Sequence, residues 1–446
     1  MNRKLFYAAL AAILSLSLLA KRSDAQKSET DHVIRFFQWK VAQDSDDCFN
    51  FDRLGTAYIQ KARETGDIAY FELAAQALQK SLALESTHPE AAPATKHLAT
   101  VYFSEHRFAE ARDLARKALE LNPGDITPNA LLGDAESEMG NYAEAGNFYR
   151  RLENPANSQS GNEGVLYLQE TRASSAAFLN GDTNASIEHM RRAVEIAKRA
   201  GLAKESVAWS QFMLGDDYFL AGNLSSGRAA YDDALKTYPG YHHALAGLAK
   251  ISAAQGRLSE AIEYYRQAIR VIPLPAYAAA LGDVYSRNGQ KDEAQKQYDL
   301  VEYIGRLTTF YQNVYNRELA VFYADHGIRF TEAVALAQKE FDVRHDVYSW
   351  DALAWTLFRN GQTEEAAEAM NAALLLGTKD PSFFFHAGLI YDRLGDSTRA
   401  KEFLSQVVAL NPQFNPFFSD LVRQTLARLS SESAQVGNER AFNAHP

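Results

Sequence analysis

Between His242 and Pro273 apolar side chains recur at the spacing of a helix face, give way to a short polar turn, and then recur again. The first run carries Leu245, Leu248, Ala249 and Ser252 on one side. The second carries Ala261, Ile262, Tyr265, Ala268, Ile269 and Ile272 at i, i+3, i+4 and i+7. Gln255-Gly256-Arg257 between them is a helix stop, because glycine takes the left-handed conformation that ends a helix. Ser259, followed by a carboxylate, suits a helix start, and Pro273 closes the unit because proline cannot continue a helix. The pattern predicts two amphipathic helices folded back on each other, and an all-α chain made of copies of that pair.

The copies align on a small side chain in each helix. In the first helix it is Gly55, Ala99, Gly133, Ser174, Gly215, Ala249, Gly282, Ala354 and Gly388, with Val321 as the exception. In the second it is Ala74, Ala111, Ala145, Ser186, Gly227, Ala261, Ala294, Ala333, Ala366 and Ala400. A large side chain where the two helices cross would force their backbones apart. Tyrosine recurs three residues past the first position, at Tyr58, Tyr102, Tyr218, Tyr285 and Tyr391, and turn prolines fall in phase at Pro123, Pro239, Pro273 and Pro412. Regular joints are spaced by 33 or 34 residues. On these residues the chain resembles the tetratricopeptide repeat family, over nearly its whole length. The resemblance implies an α-solenoid of about ten stacked antiparallel helix pairs wound into a right-handed superhelix. It also implies that first helices line the concave side, and that the chain is a protein-binding scaffold, not an enzyme.

The ends and interruptions set the boundaries. Arg3-Lys4 followed by an apolar run from Leu5 to Ala20, with Ser23 and Ala25 beyond, has the layout of a secretory signal at residues 1–25 and is short for a spanning helix. Lys21-Arg22 after the run leaves an uncleaved N-terminal membrane anchor as the alternative. Residues 26–50 are a lead-in and an N-terminal capping helix, 51–412 the solenoid, 413–429 a C-terminal capping helix and 430–446 a polar, disordered tail. A loop rich in Gly, Asn and Ser interrupts the array at 153–164. Without residues 1–25 the chain has 42 basic and 55 acidic side chains, a net charge of −13, which argues against nucleic acid as a partner. Cys48 is the only cysteine, so an exported chain would hold no internal disulfide.

No metal-ligand spacing, nucleotide loop or nucleophile motif occurs, and no cofactor is expected. The one constellation above background is a repeated Leu-Gly-Asp ending at Asp134, Asp216 and Asp283. The resemblance places these aspartates, with Lys250, on the groove wall. Phe103, Phe178, Phe219 and Phe358 stand four residues past the small position, and Trp209, His243 and Tyr348 at another lining position. Two readings follow: an acidic, aromatic-floored groove for a basic or extended protein segment, or aspartates that only solvate the inner face or bond to a neighbouring helix. Clamping of a C-terminal carboxylate, known in this family, is disfavoured, since aspartate replaces the expected asparagine three times and only Lys96 of the expected lysines is present. The expected role is an exported adaptor in bacterial cell-envelope assembly or secretion, in the periplasm or outside the cell, without membrane insertion once the signal is removed. The alternative is an accessory subunit of a machine for polysaccharide synthesis or export.

Overall fold

Alternation of apolar runs with glycine-centred turns is converted into helices almost without remainder. The computed structural model describes residues 29–153, 162–308 and 316–443; the expected signal at 1–25 and most of the loop at 153–164 lie outside these described residues. Among the described residues there are twenty-two α-helices and no strand. The helix α1 (Glu29–Gln43) precedes ten antiparallel pairs: α2 (Cys48–Thr65) with α3 (Ala69–Leu84), α4 (Ala92–Ser104) with α5 (Phe108–Leu121), and α6 (Pro128–Glu138) with α7 (Tyr142–Arg150). The next are α8 (Glu163–Leu179) with α9 (Thr183–Arg199), α10 (Lys204–Leu220) with α11 (Leu224–Thr237), and α12 (His242–Ala254) with α13 (Leu258–Val271). The last four are α14 (Pro275–Arg287) with α15 (Lys291–Thr308), α16 (Asn316–His326) with α17 (Phe330–Phe341), α18 (Val347–Arg359) with α19 (Thr363–Ala373), and α20 (Pro381–Arg393) with α21 (Ser397–Leu410). A final helix, α22 (Ser419–Asn443), follows.

The small residues sit where the pairs cross. Ala74, Ala99, Ala111, Ala249, Ala261, Ala333, Ala354, Ala366 and Ala400 are wholly buried. At Gly133, Gly215 and Gly282 the space a Cβ would need is filled by the rings of Tyr149, Tyr231 and Tyr298 from the opposing second helix. Val321, the one large residue in the register, is half-buried, and Ala320 and Ala324 beside it are buried instead. Hydrophobic clusters follow one another along the array, and the most extensive joins α18, α20 and α22 around Trp355, Phe383, Phe385 and Phe418. The aromatic run Phe383-Phe384-Phe385 is therefore core.

The ends differ in how closely they follow the pattern. The first helix, α1, lays Ile34 against α2 and is tied to it by Asp31–Lys61 at 2.6 Å and by Thr30 donating to Glu64 at 2.6 Å. At the other end α22 does not stop near Leu429 but runs on to Asn443. The expected boundary carries no proline, and Arg428 bridges it to Glu432 one turn later at 3.0 Å, so nothing there breaks the helix. Among the described residues no helix is long and apolar enough to cross a membrane.

Successive first helices touch one another, while second helices make no comparable contact. The stack therefore curves with first helices inward. The curvature is tight enough for one turn of the solenoid to meet the next. The Glu138 carbonyl accepts from the His345 amide at 2.9 Å, and the Tyr142 hydroxyl from the Val347 amide at 2.8 Å. Thr378 donates to the Leu179 carbonyl at 2.6 Å, and Asn411 to the Phe219 carbonyl at 2.7 Å. The turn glycines Gly140, Gly181 and Gly222 all have positive φ and face the backbone carbonyls of His345, Gly377 and Leu410 respectively. A Cβ would fit at none of them. Repeats three, four and five thus dock edge-on against the segments that open repeats nine and ten and close repeat ten.

Candidate functional site

The concave wall is the surface the fold builds from first helices, and its aspartates are already engaged. Asp134 accepts from Tyr149 at 3.1 Å and pairs with Arg172 of the next first helix at 2.6 and 3.2 Å. Asp216 accepts from Tyr231 at 2.6 Å and from Lys250 at 2.6 Å. Asp283 accepts from Tyr298 at 3.0 Å and meets His326 at 2.8 Å. One arrangement is thus used three times. Glycine admits the tyrosine ring, the tyrosine hydroxyl reaches the adjoining aspartate, and a cation from the following repeat closes the joint. A carboxylate held by a hydroxyl and a cation at once has little left to offer a ligand.

The remaining predicted groove residues divide. Phe178 and Phe219 are buried, and Lys250 lies over the Phe219 ring at 4.5 Å while bound to Asp216. Phe103 packs edge-on against Phe108, and Trp209 lies against the cores on either side of it. His243 stacks on Phe212 at 5.0 Å and shares the Tyr277 hydroxyl with His242. Burial lowers both histidines, to about 3 for His242 and about 4 for His243, so neither carries charge near neutrality. Phe358 stacks on Trp355 at 5.5 Å. Lys96 donates to Asp125 at 2.7 Å and to Thr127 at 3.0 Å.

Two of the predicted residues, Asp283 and Tyr348, do come together, on the wall of a cavity of about 410 Å³. Four successive first helices (α14, α16, α18 and α20) form it, and Phe414, Asn415 and Phe418, from the segment after α21, cover one side. That segment is anchored across the wall, since Arg287 donates to the Pro416 carbonyl and Phe417 packs on His326. Val321 borders the cavity, at the one first-helix register position without a small residue.

The lining is acidic and aromatic. Asp283, Glu318, Asp325, Asp351 and Asp380 face Arg317, His326 and His386. Asp351 meets His386 at 2.8 Å, and Asp380 caps α20 through the Ser382 amide at 2.8 Å. Asp325 accepts from the Trp355 indole at 2.7 Å, and burial raises its carboxyl to about 6. Burial opposes charge on His326 and His386, but the hydrogen bonds and charges of Asp283 and Asp351 outweigh it and raise both. Among the described residues no three His, Cys, Asp or Glu side chains converge to hold a metal ion. Sequence reasoning missed Asp325, Asp351 and Glu318. Asp325 stands four residues past the register position, where four other repeats carry phenylalanine, and that column read for charge would have found it.

Among curated proteins none is significantly similar to this sequence. Among solved structures, the APC/C hetero-tetramer Cut9–Hcn1 is 15% identical, covering 93% of this chain and 99% of that one, with a TM-score of 0.32. Yeast Tom70 is 14% identical over 86% of this chain and 97% of that one, also at 0.32, and the TPR domain of P58(IPK) is 14% identical over 95% and 99%, at 0.28. One tetratricopeptide repeat model matches residues 62–126, 212–278 and 352–413, and a second matches 102–160. The unmatched stretches contain the long helices α9 and α15. Helix pairs in a shared register, small residues at each crossing and models that match more than half the sequence agree: the chain belongs to the tetratricopeptide repeat family, a family of protein-binding scaffolds.

Proposed function

We propose that this protein is an exported adaptor that holds a protein segment along its concave wall, at the cavity of the last four repeats, and that it serves cell-envelope assembly or secretion. The observation that carries the choice of site is the cavity itself. It is open to solvent, lies on the face made by first helices, and combines aromatic walls with carboxylates. A preformed wall loses little conformational freedom when a segment is laid on it, so many weak contacts add up to useful affinity. Export is supported by Arg3-Lys4 and the apolar run from Leu5 to Ala20.

The test is photo-crosslinking in the producing cell from Ala279 and Val321, which line the cavity, and from Arg266 and Lys401, which are exposed on second helices. The expected result is a defined protein adduct from the first two positions and none from the others. Adducts from the second-helix positions alone would move the binding face to the outside. The same purified chain should begin near residue 26, and an intact N-terminus in the soluble fraction would remove the export reading.

A further inference from the structure

The cavity of the last four repeats has a chemistry more specific than a generic peptide groove. Its five carboxylates face one arginine and two histidines, so the space stays negative even with both histidines protonated. Arg317 is drawn aside, lying 3.5 Å from Asp346 and over the Tyr348 ring at 5.9 Å. Glu318 makes no ion pair among the described residues. The carboxylates are spread over four helices and do not converge, which suits a metal ion poorly, since calcium or zinc needs ligands meeting within 2–3 Å or so of one point. They suit an organic cation that spreads its charge over a larger group. Tyr348 supplies partly exposed ring surface beside the same space, with Phe383, Phe385 and Phe418 buried behind it. Ring faces attract a desolvated ammonium or guanidinium group. A volume of about 410 Å³ accommodates one long side chain rather than a folded element.

We propose that the cavity is the receptor for one cationic side chain, an arginine or lysine, projecting from the bound protein segment. The assignment rests on the reading that the concave wall holds such a segment, and it names the anchor residue. A guanidinium is the better fit of the two, because its plane can lie on a ring while its edge donates to a carboxylate.

The experiment uses the whole chain and three short capped peptides, Gly-Arg-Gly, Gly-Lys-Gly and the neutral citrulline analogue of the first. Binding is read by calorimetry and by the indole N–H resonance of Trp355, which donates to Asp325 in the wall. The expected result is a shift of that resonance with the arginine peptide, and at least tenfold weaker binding of the citrulline peptide. Glu318→Gln and Asp325→Asn, the second of which keeps an acceptor for Trp355, should each weaken the arginine peptide about fivefold or more. Binding should also weaken from pH 8 to pH 5, as Asp325 takes up a proton and the histidines gain charge. Equal affinity for arginine and citrulline, or no change in either variant, would overturn the assignment. Inner-wall adducts that persist in Glu318→Gln would leave the adaptor reading standing and remove the anchor. Arginine binding without inner-wall adducts would do the reverse.

Discussion

Single residues in this array are often fixed by a neighbour far away in sequence. The turns of the ten pairs reach the left-handed conformation mostly through glycine, but in the second repeat it is His106, with φ 59°, that does so. A side chain in that conformation costs about 1–2 kcal/mol, and here it stacks on Phe108 and faces Glu340 and Arg344 across the contact between solenoid turns. Gly181 shows the opposite choice, because a Cβ there would collide with the Gly377 carbonyl, whereas Gly361 has open space. Gly361→Ala should cost only the conformational penalty, and Gly181→Ala about 1–3 kcal/mol more. Equal urea midpoints for the two variants would show that the edge contact carries no energy.

Asp217 makes a second prediction at this scale. It is buried, accepts from Ser186 at 2.9 Å and has Asp216 beside it, and burial raises its carboxyl to about 7. A carboxyl raised by folding favours the native state most when protonated. Its contribution is therefore greatest below the ordinary value of 3.8 and is lost as pH rises towards 7. Asp217→Asn should raise the melting temperature at pH 8, by the equivalent of about 1–3 kcal/mol, and flatten its fall between pH 4 and pH 7. A variant that melts with the parent at pH 8 would contradict this.

At the level of helices and pairs, the crossing register sets the spacing. Ala261 and Ala400 have no exposed surface, so leucine at either should overpack the pair and cost about 1–3 kcal/mol, seen as a lowered melting temperature. This register is legible in the sequence because it reports a local steric demand that every repeat must meet. The joints between pairs are less legible. Asp134, Asp216 and Asp283 share one position, but their cations Arg172, Lys250 and His326 sit at three different places in the following repeats, so no period marks them. The cavity is hidden for a similar reason. Only Glu318 and Asp351 of its five acids share a column, and the segment covering it, Phe414 to Phe418, stands outside the repeat pattern altogether. Gly140, Gly181 and Gly222 end their helices with positive φ as Gly256 does, and nothing local in the sequence reveals that they also touch another turn of the molecule.

For the whole molecule, these long-range contacts alter how the array responds to stress. An open solenoid behaves as a row of units coupled only to nearest neighbours, and frays from its ends. Here Arg344 meets Glu138 at 2.7 Å and Thr378 bonds to Leu179, so late repeats are held by early ones. Variants retaining Trp209 or Trp355 as the only tryptophan should give the same denaturant midpoint, and Arg344→Ala with Thr378→Ala should separate the two. Separate midpoints in the otherwise unaltered protein would show that the solenoid turns unfold independently.

The edge-on docking of repeats three to five has a consequence for how the chain comes into being. Synthesis releases those repeats long before His345, Thr378 and Asn411 emerge, so for that interval the carbonyls of Glu138 and Leu179 lack these partners, and that of Phe219 keeps only its bond from the Gly222 amide. A chain cut short before Arg344 would keep that face bare permanently. What survives would be a row of correctly formed pairs with one side of a joint, and not a smaller version of the same molecule.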